Sequence, residues 1–201
     1  MNSRRCNGLA IQKDNMLIIG ITGTIGAGKG TIVQYLTRNL NFEHYSVRAF
    51  VSEEIMIRGL PVNRDTMTEV ANDLRAQHSP SYIVDQLYNK AVQAGRNGII
   101  ESIRTPGEVE SLRAKGNFHL FAIDAYPLLR YERIRVRDSE TDQVSFETFL
   151  ENEQREYTSE DPNRQNLKKC IEMADYRFEN NGTLEYLHLQ VQSVLDLIME
   201  Q

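Results

Sequence analysis

The 201-residue sequence has little of what marks secreted, metal-rich or membrane proteins. Its two cysteines, Cys6 and Cys170, lie far apart and outside any metal-ligand spacing, so neither a disulfide framework nor a zinc site is expected. No apolar run approaches the roughly 18 residues that cross a bilayer, and residues 6–10 are too few and too polar for a signal-peptide core. These absences predict a cytoplasmic protein without a membrane anchor, in which residues 1–15 form a flexible N-terminal segment.

Positive charge is not in excess either. Lys and Arg total 23 against 28 Asp and Glu, which gives a formal net charge of −5. Because no basic residues are interleaved with aromatic ones, nucleic acid is not expected as a partner. Hydrophobic residues make up 40% and charged residues 25%, as in soluble globular proteins, and the length suits one domain, residues 16–201. The oligomeric state stays open.

Short apolar runs alternate with amphipathic segments along this domain. The run at residues 16–21 has the length and the β-branched content of a strand that is buried on both faces, and residues 98–102 form another buried strand. This alternation predicts an α/β fold with a parallel five-stranded sheet flanked by helices. The predicted strands are residues 16–21, 44–47, 98–102, 118–124 and 175–178. The predicted helices are residues 31–40, 48–58, 63–78, 79–95, 106–115, 127–137 and 184–199.

A glycine-rich turn between the first strand and the first helix carries the main inference. Gly23 and Gly28 are separated by four residues and Lys29 follows, which is the spacing of a Walker A loop in its required context. Glycines let the backbone wrap closely round phosphates, while the helix N-terminus and the lysine supply positive charge. An ordinary flexible loop would explain the glycines but not the spacing. The candidate nucleotide-binding residues are Gly23, Thr24, Gly26, Ala27, Gly28, Lys29, Gly30 and Thr31.

The hydroxyl of this motif is displaced by one position, because Gly30 follows Lys29 and Thr31 comes next. This order resembles the adenylate kinase subgroup of the nucleoside monophosphate kinases, and the element order is similar to adenylate kinase-like and dephospho-coenzyme A kinase-like P-loop proteins. The resemblance implies a P-loop NTPase fold, ATP and Mg²⁺ as cofactors, and a small phosphate acceptor. By the same resemblance Thr31 contacts phosphate or the metal.

Glu101 lies near the end of the strand at residues 98–102 and Arg104 follows that strand, at the edge where parallel sheets gather ligands. The resemblance implies that Glu101 supports the metal and that Arg104 is a catalytic residue gripping the acceptor phosphate. The family's glycine and proline are missing there, and Glu101 is longer than the family's aspartate. A strand-end acid paired with a surface arginine is the alternative. Asp124, which ends the next strand, suits either the surroundings of the metal or a helix N-cap.

Arg130, Arg133 and Arg137 fall at helical spacing on one face of the helix at residues 127–137. The resemblance makes Arg133 and Arg137 catalytic, with Arg133 also at the nucleotide, because guanidinium groups match phosphate oxygens. A solvated face neutralised by nearby acids is the alternative. Residues 138–166 are polar and acidic, which predicts a mobile lid. Its apolar anchors are Val144, Phe146, Phe149 and Leu150.

Two further regions are assigned by resemblance. Residues 48–95 correspond to the acceptor-binding helices, where Arg48, Arg58 and Arg75 are candidates for meeting the acceptor. Plain surface charge is the alternative for each of these arginines. The turn ending at Gly182 corresponds to the loop that packs against adenine, although plain turn chemistry also explains it. Arg155 is either a lid residue that returns to the site or part of an ion pair within its helix.

Together these features predict an ATP-dependent phosphotransferase whose favoured acceptor is a nucleoside monophosphate. A dephospho-coenzyme A kinase-like enzyme is one alternative, but its hydroxyl acceptor needs an acidic base near the loop, and Glu53 is the nearest matching acid. A slowly hydrolysing regulatory nucleotide binder is the other. The Asn-Lys-x-Asp segment by which small GTPases select guanine is absent.

Overall fold

The computed structural model describes residues 16–136 and 144–200, and its centre is a five-stranded sheet. The strand order is β2-β3-β1-β4-β5 and every neighbouring pair is parallel, so the predicted fold class is confirmed. The strands are β1 (Ile18–Gly23), β2 (Glu43–Ser46), β3 (Gly98–Glu101), β4 (Phe118–Asp124) and β5 (Tyr176–Glu179).

Strand β1 lies in the middle of this sheet and all six of its residues are buried. Its near-continuous apolar run suits this position, because helices cover both faces of a parallel sheet. The register pairs Ile21 with Glu101 and Gly23 with Ile123. The carboxyl ends of β1, β3 and β4 therefore meet at one edge, which brings Glu101 and Asp124 beside the start of the glycine-rich loop.

The helices cover the two faces of the sheet and enclose two layers of core. Helices α2 to α5 contribute to the layer on one face, while α1 and α9 cover the other. The described helices are α1 (Lys29–Leu40), α2 (Val47–Ile57), α3 (Arg64–Gln77), α4 (Tyr82–Ala94), α5 (Pro106–Arg113), α6 (Pro127–Val136), α7 (Phe146–Tyr157), α8 (Leu167–Glu172) and α9 (Leu184–Met199). Within the described ranges, none of them is both long and apolar enough to cross a membrane.

Local sequence signals account for most of the helix boundaries. Asn63 caps α3 as predicted: its side-chain oxygen accepts a hydrogen bond from the Thr66 amide, and the Thr66 hydroxyl accepts one from the Asn63 amide. The start of α4 was predicted too early: this helix begins at Tyr82, after a turn that contains Pro80. The six-residue helix α8 was not predicted, since it is too short to show a helical period.

The described part of the predicted lid, residues 144–166, contains helix α7. Phe149 is buried and packs with Ile25 of the glycine-rich loop and Ile134 of α6, which forms a third, small core. Leu150 is 39% exposed, so its predicted role as an anchor is wrong. Adjacent helical residues point about 100° apart, and only one of the pair faces the core. Arg137 and residues 138–143 lie outside the described residues.

Phe121→Ala should lower the free energy of unfolding by about 3–5 kcal/mol, the usual cost of emptying a fully buried aromatic site. Phe121 is 0% exposed and packs against the rings of Tyr176 and Phe178. Tyr126→Ala is the control, because Tyr126 is 67% exposed and should change stability by no more than about 0.5 kcal/mol. Urea unfolding compares the two, and similar losses would contradict the core assignment.

Candidate active site

The glycine-rich loop, residues 23–31, connects the end of β1 to the first turn of α1. Gly23, Gly26 and Gly28 have φ values of 140°, 77° and 109°, which side chains rarely adopt. A methyl group on Gly23 would overlap the carbonyl oxygen of Ile123, and one on Gly28 would overlap the side-chain amide of Asn180. The loop therefore folds tightly only with glycine at these positions.

Lys29 reaches back across this loop. Its Nζ donates hydrogen bonds of 2.8 Å to the carbonyl oxygens of Gly23 and Thr24. Thr31 follows in the first turn of α1 and is half-buried, while the Cβ position of Gly30 has no atom within 4 Å. The loop thus presents an ammonium group, the N-terminus of a 12-residue helix and a hydroxyl-bearing residue at one place.

Asp124 anchors the loop to the end of β4. Its Oδ1 accepts from the Thr24 hydroxyl at 2.5 Å and from the Ala125 amide at 2.8 Å. It does not cap α6, which begins three residues later at Pro127. Of the two roles predicted for Asp124, the N-cap is wrong. The carboxylate lies next to the loop.

Arg130 is buried, so its predicted alternative as part of a solvated face is wrong. The guanidinium donates to the carbonyl oxygens of Ala125, at 2.8 Å, and Ile25, at 3.2 Å. It also forms a bidentate ion pair with Glu153 of α7, in which Nη1 contacts Oε1 and Nη2 lies 3.0 Å from Oε2. Arg130 therefore joins the loop, the end of β4 and α7.

Arg133 lies on the other side of the loop, against the turn after β5. Its Nη2 donates to the carbonyl oxygen of Asn180 at 2.9 Å, and the side-chain amide of Asn180 donates to the carbonyl oxygen of Ala27 at 2.8 Å. Gly182 follows in the same turn. Nη1 of Arg133 is buried and has no hydrogen-bond partner among the described residues. Burial lowers the pKa of this guanidinium, so an anion at Nη1 would stabilise its charge.

Glu101 lies at the end of β3, within the electrostatic reach of Lys29. Burial alone would raise its pKa, but the hydrogen bond from Nε2 of His44, at 3.2 Å, and the positive charge of Lys29 together lower it. Glu101 is therefore a carboxylate at neutral pH, close to the loop. His44, which was not predicted as a site residue, holds it in place.

Ser102 marks a sharp change of chain direction after β3. Its φ of 74° lies in the left-handed region, which a serine adopts at a cost of order 1–3 kcal/mol. The next residues fold back, and the amides of Ser102 and Ile103 both donate to the carbonyl oxygen of Ile21. This turn aims the following loop, with Arg104, toward α3 and α7. Ser102 was not predicted, since its sequence context does not indicate the strain.

Arg104 contacts the segment around α7 rather than open solvent. Its Nη1 donates to the Glu156 carboxylate and, at 3.3 Å, to Oε1 of Gln165. Its backbone amide donates to Oε2 of Glu108 at 2.7 Å. The other Glu108 oxygen accepts from Arg75, and both side chains of this pair are almost fully buried. Arg75 therefore supports the Arg104 loop through Glu108.

A cavity, called here the inner cavity, lies between the loop, α2, α3 and α7. Ile25, Val47, Val51 and Met67 form an apolar wall, while Arg48, Arg64 and Arg104 supply positive charge. A wider, polar outer cavity adjoins it, and the two share Arg64, Thr68, Glu156 and Gln165. Arg58 does not line the inner cavity but pairs with Glu54 and Asp73. Arg155 lines the outer cavity, and its Nη1 lies 3.8 Å from Oδ1 of Asp65.

Comparison with known proteins agrees with this architecture. A family model described as an AAA domain matches residues 19–159. A UPF0200 protein of Methanococcus maripaludis (strain C6) is 30% identical over 170 residues, which cover 83% of this chain and 89% of the relative. The chain belongs to the AAA-domain and UPF0200 families. Another UPF0200 protein, from Methanococcus vannielii, is 29% identical and covers 92% of this chain and 97% of its own.

Solved structures similar to this UPF0200 chain have the P-loop kinase fold. Shikimate kinase from Bacteroides thetaiotaomicron matches with a TM-score of 0.55 at 14% identity, over 90% of this chain and 99% of that chain. A gluconokinase from Sinorhizobium meliloti matches with a TM-score of 0.53 at 16% identity, over 94% of this chain and 96% of that chain. Protein TT1252 from Thermus thermophilus matches with a TM-score of 0.60 at 21% identity, over 90% of this chain and 97% of that chain. The UPF0200 chain shares their P-loop nucleotide-binding fold.

Gly28→Ala should lower the free energy of unfolding by about 1–3 kcal/mol, because φ is 109° and the new methyl group would displace Asn180. Gly30→Ala, two residues later in α1, should leave stability unchanged or raise it by up to about 1 kcal/mol, since its methyl group meets no atom within 4 Å. Urea unfolding of both UPF0200 variants tests this. Equal losses would contradict the loop geometry.

Proposed function

We propose that this protein is an ATP-dependent phosphotransferase that moves the γ-phosphate of ATP to a small acceptor bearing a phosphate. A nucleoside monophosphate is the favoured acceptor. The observation that carries the proposal is the arginine-lined inner cavity, which begins at Ile25 of the glycine-rich loop. A loop that holds phosphates beside a second cationic cavity suits transfer between two phosphate compounds. The kinases of known acceptor that share the fold support a small-molecule substrate.

Residues around the loop suit the donor nucleotide. Lys29 and the loop amides would hold its outer phosphates, and the buried Nη1 of Arg133 would gain an anionic partner. Gly182 and its turn, tied to the loop through Asn180, would border the base. Arg137, outside the described residues, remains a predicted catalytic residue together with Arg133.

Oxygen-bearing side chains also suit Mg²⁺. The Thr31 hydroxyl and the ionised Glu101 carboxylate are ligands of the kind that this ion prefers. When bound, Mg²⁺ would supply charge neutralisation on the donor phosphates. Mg²⁺ usually keeps several waters and binds through one or two carboxylates plus phosphates, so a dense carboxylate cluster is not needed.

On the acceptor side, arginines from different parts of the chain converge. Arg48 comes from α2, Arg64 from α3 and Arg104 from the loop after β3. The residues 48–95 would thus act as acceptor-binding helices, and residues 144–166 as the described part of a lid. A phosphate acceptor already carries an anionic oxygen, so no strong base is required. Glu53, the acid predicted as nearest to the base of a dephospho-coenzyme A kinase-like enzyme, is not among the residues that line the inner cavity.

A coupled ADP-release assay tests the proposal directly. The protein is given ATP and Mg²⁺ with each nucleoside monophosphate in turn, and with dephospho-coenzyme A in a separate series. Acceptor-dependent ADP release with at least one monophosphate is the expected result. Release that is slow and independent of every acceptor would instead support the regulatory nucleotide binder.

Lys29→Ala should reduce the rate of transfer by roughly 100-fold or more, because one charge-assisted contact to a reacting phosphate contributes about 3 kcal/mol. Lys168→Ala is a matched control, since Lys168 is exposed on α8 and should retain the parental rate. Both rates come from the ADP-release assay with the best acceptor. A loss below about tenfold in Lys29→Ala would contradict its assignment.

Arg104→Lys keeps the positive charge but loses the planar fork of donors. We expect the KM for the acceptor to rise at least about tenfold while the KM for ATP changes little, because the loop holds the donor separately. Steady-state kinetics with each substrate varied in turn measure both. An effect on ATP alone, or on neither substrate, would show that Arg104 does not hold the acceptor.

A further inference from the structure

Glu156 lies in the last turn of α7, where the inner and outer cavities meet. Its Oε2 accepts from Nη1 of Arg104, and its Oε1 lies 3.6 Å from Nη1 of Arg64. The side chain is only 12% exposed. A single carboxylate from the lid region therefore lies between two arginines that belong to different parts of the chain.

The charges around this carboxylate do not balance. Arg48 and Arg104 line the inner cavity, and Glu156 is the one acid among the described residues that line it. Arg75 also lines it, but its charge is matched by Glu108 behind the wall. A phosphate dianion offers two negative charges and three terminal oxygens, which match converging guanidinium groups better than one carboxylate does.

From this arrangement we propose that Glu156 selects for acceptors that carry a dianionic phosphate, because its carboxylate occupies the place that this phosphate takes. This inference rests on the proposed function of the inner cavity. An acceptor with a dianionic phosphate replaces the carboxylate and leaves both arginines paired. A neutral acceptor would separate Glu156 from Arg104 without replacing it, and the largely buried Arg104 would lose the carboxylate that pairs with it.

The position of Glu156 in α7 allows this replacement without unfolding the helix. The anchors of α7 lie nearer its start, at Phe149 in the small core and at Glu153, which pairs with Arg130. Glu156 is one residue from the end of the helix, and final turns open more readily than helix interiors. The wider outer cavity, which is lined by Arg155 and Arg164 and also by the acids Asp65 and Glu69, would receive the released carboxylate.

The test measures binding of inorganic phosphate by calorimetry at about pH 8, where phosphate is mostly dianionic. Lys29→Ala is the background, because it weakens phosphate binding at the glycine-rich loop. In that background E156Q should bind phosphate at least about tenfold more tightly, since the competing charge is gone. E151Q is the matched control: Glu151 is exposed on the same helix, and its loss should change the affinity by less than about threefold. Adding Arg104→Ala to E156Q should abolish the gain.

Glu156→Asp provides a second variant should E156Q fold poorly. It keeps the charge but withdraws the carboxylate by one methylene, so an intermediate gain is expected. Phosphate affinity that is unchanged or weaker in both variants would overturn the proposal, because Glu156 would then organise the arginines instead of competing with the ligand. An equal gain in E151Q would also overturn it, since the effect would be general charge. The binding experiment contains no ATP and measures only phosphate affinity. A negative result for Glu156 is therefore distinguishable from a negative result in the ADP-release assay, which tests the proposed function.

Discussion

The buried guanidinium of Arg130 is the interaction on which the geometry of the site depends. It holds the carbonyl oxygens of Ile25 and Ala125 and pairs with Glu153, so one side chain joins the glycine-rich loop, the end of β4 and α7. Breaking a buried ion pair leaves an uncompensated charge at a cost of about 3–5 kcal/mol. Without Arg130, Phe149 would also lose the cation that lies 5.5 Å from its ring. The loop and α7 are therefore linked into one unit by the Arg130 side chain.

This unit extends to the second cavity through α7. Glu153 and Glu156 are three residues apart and so lie on neighbouring positions of one helix face. Glu153 faces the arginine that supports the loop, whereas Glu156 faces the two arginines of the inner cavity. A shift of α7 along its axis would alter both contacts together. The helix thus couples the side that holds the loop to the side that holds the proposed acceptor.

The sequence predicted those features whose cause is local. The Walker A spacing predicted the loop because three positive φ values require glycine. Apolar runs predicted the central strands β1, β3 and β4 because both faces of the sheet are covered there. Glu156 and Gln165 were not found, since they meet Arg104 from 52 and 61 residues away and no local pattern indicates that contact. Leu150 was misjudged because Phe149 and Leu150 are adjacent and equally apolar, and only packing selects between them.

The strand order also bears on how the chain folds as it is synthesised. Strand β1 is completed only by β3 and β4, and the loop is secured by contacts that span long stretches of chain: 100 residues from Thr24 to Asp124, and 153 from Ala27 to Asn180. Such non-local closure makes folding slow and leaves early segments exposed. During translation the apolar β1 emerges long before its partners. A nascent chain that ends before Asn180 lacks the side chain that holds the carbonyl oxygen of Ala27, so the loop is completed only after most of the chain has been made.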